Sequence, residues 1–196
     1  MSNPRLILVA FAAAIFLAAC GSEPPPPPPA PTGPTEEELA QRRADSIARA
    51  RAAEEARQRA EEERLAREAA RAAEEARGTL TEMVFFEYDQ ATLSADTERA
   101  LRAKLEILRN NPGVQLRMEG HADERGTSEY NIALGNERAE AVIQFLTGFG
   151  LDSGRFASVS YGEERPMAQG SNEASWARNR RVEFVITAGG NSITGG

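Results

Sequence analysis

Residues 119–138 read Glu-Gly-His-Ala-Asp-Glu-Arg-Gly-Thr-Ser-Glu-Tyr-Asn-Ile-Ala-Leu-Gly-Asn-Glu-Arg, and the stretch joins two elements of different period. Leading into it, Val114, Leu116 and Met118 alternate with Gln115, Arg117 and Glu119. That period of two predicts a strand with one buried face. Gly120 and Gly126 then bound a short polar loop. Ser128 stands where a helix cap is needed, and Leu134, Val142 and Phe145 give the following helix an apolar stripe. Arg138 falls on that stripe, one turn after Leu134 and one before Val142. A guanidinium there requires an acidic partner or an anionic ligand, because an unpaired buried charge is costly. Asp123, at the strand's end, is the natural partner. A carboxylate and a guanidinium converging on one strand end suit a ligand carrying both an ammonium and a carboxylate. A purely structural ion pair is the competing account.

The same periodicities extend on both sides. Residues 84–88 read as a first strand. Ala100, Leu101, Leu105 and Leu108 have helical spacing within residues 96–110, and Asn111-Pro112-Gly113 stops that helix. After the strand at 114–119 and the helix at 128–147, a third strand is expected at 156–161, a short helix at 172–178 and a last strand at 182–186. This order predicts an α/β fold of β-α-β-α-β(-β) type, with helices on one face of a mixed sheet. The chain is expected to divide at residues 1–19, 20–34, 35–78, 79–187 and 188–196, the last a disordered tail.

The first eighty residues are of another kind. Arg5 precedes an apolar run at residues 6–17 that ends in Leu17-Ala18-Ala19-Cys20. The run is short for a membrane span and reads as a signal peptide, residues 1–19. The small residues before Cys20 resemble a bacterial lipobox, which implies cleavage before Cys20 and its acylation, with palmitate among the chains. Several acyl chains anchor stably where one does not. Gly21 in place of an aspartate fits outer-membrane destination. Residues 24–29 are unbroken proline, an extended linker within 20–34. Residues 35–77 are built from Ala, Glu and Arg without Gly or Pro, which favours helix. Thr35 and Glu38 form a capping box. Glu38/Arg42, Asp45/Arg49, Glu55/Arg59 and Glu63/Arg67 are (i, i+4) pairs, and Gly78 reads as the stop. At 1.5 Å per residue this spacer reaches about 65 Å.

The motif Gly120-His121-Ala122-Asp123-Glu124-Arg125-Gly126, continued by Glu129-Tyr130-Asn131-Ile132-Ala133-Leu134-Gly135 and Arg138-Ala139, resembles the OmpA-like peptidoglycan-binding domain, most of all that of the peptidoglycan-associated lipoproteins. The resemblance covers about residues 81–186. It implies that Asp123 receives the ammonium and Arg138 the carboxylate of a diaminopimelate stem peptide. Asn131 orders the site or touches the ligand, and Ala122 belongs to the same loop motif. Tyr88 and Asp89 match an aromatic–aspartate pair after the first strand, where the family more often has Phe at the aromatic position. The implied protein is an outer-membrane, lipid-anchored, periplasm-facing tether of the Tol-Pal envelope and cell-division system, with TolB as partner. An OmpA-like lipoprotein of another envelope complex is the alternative.

Composition narrows the rest. A net charge of −7 disfavours general nucleic-acid binding. One cysteine and one histidine exclude an internal disulfide, a cysteine cluster and a histidine-rich metal site. No catalytic constellation surrounds His121, which reads as a hydrogen-bonding loop residue, so no enzyme, cofactor or metal is expected. Arg180 and Arg181 read as a strand-start charge cluster or ligand contacts, and Trp176 as a packing residue.

Overall fold

The computed structural model describes residues 33–195. The signal peptide expected at 1–19, Cys20 and the proline run at 24–29 lie outside the described residues. Among the described residues, no helix is long and apolar enough to cross a membrane. The chain divides into two units, residues 1–52 and 53–196.

In the first unit, α1 (Glu36–Thr81) begins with the expected capping box. The Thr35 amide donates to Glu38 Oε2 at 2.9 Å, and the Glu38 amide donates to Thr35 Oγ1 at 3.2 Å. Asp45 accepts from Gln41 at 2.9 Å rather than pairing with Arg49.

The second unit holds the rest of α1, then β1 (Val84–Phe85), α2 (Ala95–Asn110), β2 (Gln115–His121), α3 (Ser128–Gly148), β3 (Phe156–Gly162), α4 (Glu173–Asn179) and β4 (Arg181–Ala188). Along α1 the expected pairs Glu55–Arg59 and Glu63–Arg67 form at 3.5 and 3.1 Å. All four side chains are exposed, so each pair contributes only a few tenths of a kcal/mol, roughly. The strands form one mixed sheet in the order β1-β4-β2-β3. β2 and β3 run parallel and are joined through α3, while β4 is antiparallel to both β1 and β2. Leu116 and Met118 of β2 and Val182 and Phe184 of β4 meet Leu101, Leu105 and Leu108 of α2 and Val142 and Leu146 of α3 in one buried core. Each such side chain stabilises the fold by about 1.5–3 kcal/mol.

Two glycines of the quoted motif let α3 lie directly on the sheet. A Cβ at Gly120 would fall 1.8 Å from the Gly135 carbonyl oxygen, and one at Gly135 would fall 2.3 Å from Ser160 Oγ. Neither position admits a side chain without separating helix from strand.

Several local expectations are corrected. The helix cap is Thr127, whose Oγ1 accepts from the Tyr130 amide at 3.3 Å, not Ser128. β1 is shorter than residues 84–88, because the chain turns at Asp89, whose φ of 54° is left-handed. Residues 188–195 are not a free tail. Ile193 is buried, and Asn111 holds Thr194 through bonds of 2.8, 3.1 and 3.2 Å.

Gly78 does not stop α1, which continues to Thr81 and buries Ala76 and Leu80 in the core. The reason lies on α2. Lys104, 0% exposed, donates to the carbonyls of Thr79, Leu80 (3.3 Å) and Glu82 (2.8 Å), and its ammonium sits 4.4 Å from the Phe184 ring centre. The last carbonyls of a helix lack intrahelical donors and carry negative partial charge, so a cation there serves both needs. Burial lowers the Lys104 amine from 10.5 to about 8. Lys104→Met is expected to lower unfolding free energy by about 1–3 kcal/mol, because the carbonyls stay buried and lose their donor. Between pH 8 and 10.5 the unfolded chain holds this proton and the folded chain does not, so stability from this group rises with pH. Urea unfolding across that window should show wild type gaining on Lys104→Met.

Candidate functional site

The loop between β2 and α3 carries Asp123, and the loop between β1 and α2 carries Tyr88 and Asp89. α3 contributes Asn131 and Arg138. These residues and Ala122 line one cavity of about 180 Å³, together with Arg125, Gly126, Tyr130 and Leu134. All six residues singled out from the sequence are therefore brought together.

Their pairing differs from the expectation. Arg138 is 0% exposed and makes no ion pair with Asp123. Its Nε donates to the Gln90 carbonyl at 2.8 Å, Nη1 to the His121 carbonyl at 2.8 Å, and Nη2 to the Glu87 carbonyl at 3.1 Å. A guanidinium has five N–H groups. Two therefore remain without a partner among the described residues, one on each terminal nitrogen. Burial first, and then the charge of Arg180, pull Arg138 down to about 10, so it stays protonated at neutral pH.

Asp123 is held instead by two other arginines. Arg125 donates to it through Nε at 3.0 Å and Nη2 at 2.7 Å, and its amide donates to Asp123 Oδ1 at 3.1 Å. Arg180 Nη1 reaches Asp123 Oδ2 at 3.3 Å. Burial alone would raise the Asp123 carboxyl, but the bonds from Arg125 and Arg180 outweigh it and keep it below the ordinary carboxylate range. Arg125 lies between two aromatic faces, 3.8 Å from the Tyr88 ring centre and 4.1 Å from that of Trp176. Trp176 is half-buried, and its Nε1 donates to Glu124 at 3.0 Å, so it frames the site as well as packing. Arg180 also bonds Glu173 at 2.6 Å and the Phe86 carbonyl at 3.0 Å, while Arg181 bonds Glu183. Both arginines are thus paired to acids of the domain.

Asp89 accepts from the Tyr130 hydroxyl across the cavity mouth. Asn131 is buried and donates to Glu163 at 2.5 Å. His121 departs from its expected role. It is the last residue of β2, and neither ring nitrogen forms a hydrogen bond. Burial, with Arg181 nearby, lowers its pKa to about 4.

Arg125 and Tyr130 were missed from the sequence. Arg125 had a signal: it follows Asp123 by two residues, the spacing at which an aspartate accepts from a backbone amide in a turn. Tyr130 had none, since its contact with Asp89 spans 41 residues.

A small α/β module with an acid–arginine cavity at its strand ends is a ligand-binding domain in form. The family described as OmpA matches residues 85–180. The peptidoglycan-associated lipoprotein of Pseudomonas putida is 49% identical over 100 residues, 51% of this chain and 60% of that protein. That of Legionella pneumophila is 43% identical over 107 residues, 55% of this chain and 61% of that protein. The chain thus matches less than two thirds of the length of these curated relatives. The crystal structure of the peptidoglycan-associated lipoprotein from Burkholderia pseudomallei is 40% identical, with a TM-score of 0.52 over 54% of this chain and 89% of that one. The C-terminal domain of Helicobacter pylori MotB, 21% identical with a TM-score of 0.51 over 54% of this chain and 84% of that one, shares the fold alone. The chain belongs to the OmpA family.

Arg138→Met is expected to cost about 3 kcal/mol in urea unfolding, because three carbonyls lose a charged donor. Arg125→Gln should shift the urea midpoint much less than Arg138→Met, since Arg125 is 27% exposed and Asp123 retains Arg180. The Asp123 contribution is present above its unfolded pKa, about 3.9, and is lost as pH falls through the lower folded value.

Proposed function

We propose that this chain is an outer-membrane lipoprotein that holds the membrane to peptidoglycan without a covalent link. The cavity recognises the zwitterionic end of a diaminopimelate stem peptide. The observation that carries this reading is the distribution of charge in the cavity of about 180 Å³: the Asp123 carboxylate and a buried Arg138 guanidinium with two unused N–H groups line the same space. An amino-acid terminus offers an ammonium to the first and a planar carboxylate to the second. The names of the relatives support peptidoglycan as what is bound.

Binding on this reading is an exchange. The ligand ammonium takes over the bonds that Arg125 makes to Asp123, and Arg125 turns outward along the Tyr88 ring. The role is recognition rather than chemistry, because the Asp123 carboxyl is held ionised by Arg125 and Arg180 and the Arg138 guanidinium stays protonated at neutral pH, so neither group passes a proton. Acyl chains on Cys20 supply the membrane anchor, residues 24–29 and α1 supply reach, and TolB of the Tol-Pal system is the protein partner.

Purified protein and its variants should be pulled down with peptidoglycan sacculi, with melting temperature measured on the same samples. Asp123→Ala and Arg138→Lys are each expected to weaken binding about tenfold or more, since the first leaves the ligand ammonium without its partner and the second cannot make the planar two-pronged contact to the carboxylate. A folded Asp123→Ala protein that binds sacculi like wild type would overturn the assignment. Cys20→Ala is expected to abolish acylation and release the protein from the outer membrane, read by fractionation and acyl labelling.

A further inference from the structure

The sheet face turned away from the core carries a cluster that peptidoglycan recognition leaves unused. Glu119 of β2 stands opposite Glu183 of β4 in the antiparallel register, and His121 follows Glu119 by two residues on its strand. Ligand atoms of these three side chains lie within 4.8 Å of one another. Two carboxylates facing each other across strands repel. Each is balanced by an arginine on its own strand: Arg117 bonds Glu119 Oε1 at 2.9 and 2.6 Å, and Arg181 Nε bonds Glu183 Oε1 at 2.7 Å. Among the described residues, no hydrogen bond reaches Oε2 of either carboxylate.

His121 completes the cluster. Its imidazole is 1% exposed with both nitrogens unpartnered, and an unsatisfied buried polar group costs free energy. Its Nε2 lies 3.6 Å from Glu183 Oε1. That separation is too long for a hydrogen bond. It is close to the roughly 3.4 Å between two ligand atoms that share a tetrahedral ion at about 2.0–2.1 Å.

We propose that Glu119, His121 and Glu183 form a binding site for one divalent transition-metal ion, zinc foremost, on the sheet face opposite the helices and apart from the Asp123–Arg138 cavity. One imidazole and two carboxylates suit zinc better than calcium or magnesium, which prefer all-oxygen shells. Arg117, 41% exposed, has room to turn into solvent when the ion takes up Glu119. Arg181 remains buried and orients Glu183 from the outer shell.

The test uses the full, untagged chain, stripped with EDTA and titrated with zinc chloride. His121 is the single histidine of 196 residues, so its ring resonances in nitrogen-15 NMR report this site alone. Saturation of those resonances at one equivalent is expected. Glu119→Gln and Glu183→Gln should each weaken zinc binding about tenfold or more. Glu124→Gln, outside the cluster, should bind zinc like wild type. His121 resonances that do not move in excess zinc would overturn the site, as would binding that survives both glutamine variants. If a glutamine variant fails to fold, the wild-type ring titration decides.

Discussion

The guanidinium of Arg138 is the point on which the functional end of the domain depends. It leaves α3, crosses under the loops and donates to carbonyls of Glu87, Gln90 and His121. Those carbonyls belong to two chain segments far apart in sequence, the turn after β1 and the end of β2. The desolvation of a buried cation is large, and three charge-assisted bonds offset it. Asp89, in its left-handed conformation, is held between two of the residues so bonded. The wall of the cavity is thus set by the same group that faces into it.

Around Asp123 the charges form a shared network rather than a single pair. Arg125 and Arg180 both donate to it, and both also approach Glu173, at 3.8 and 2.6 Å. Arg180 is buried and fixed, whereas Arg125 is partly exposed and held by stacking between Tyr88 and Trp176. On the proposed reading a cationic ligand group would compete with the more exposed arginine and leave the buried one in place. With Arg125 and Arg180 beside it, the Asp123 carboxyl is held below the ordinary carboxylate range.

Within the second unit, the end of α1 is a core element. Leu80 enters the apolar cluster, and the chain's single lysine closes the helix carbonyls from α2. A glycine signal such as Gly78 acts only when nothing better satisfies the carbonyls that follow it. Lys104 satisfies them, so the helix runs on.

The sequence by itself determined much of this protein. Alternation in β2, the helical spacing of Leu101, Leu105 and Leu108, and the long spaced motif around Asp123 and Arg138 specified an α/β module and collected the residues of its cavity. Those signals are local periods and fixed offsets, which backbone geometry translates directly into faces and ends. Tertiary structure alone decided which charges meet. Arg138 found carbonyls instead of Asp123, Asp123 found Arg125 and Arg180, and Glu183 came to face Glu119. A buried charge accepts whatever donor or acceptor the folded chain brings within hydrogen-bond reach, and that choice is made by strand register and loop path, which no local pattern encodes.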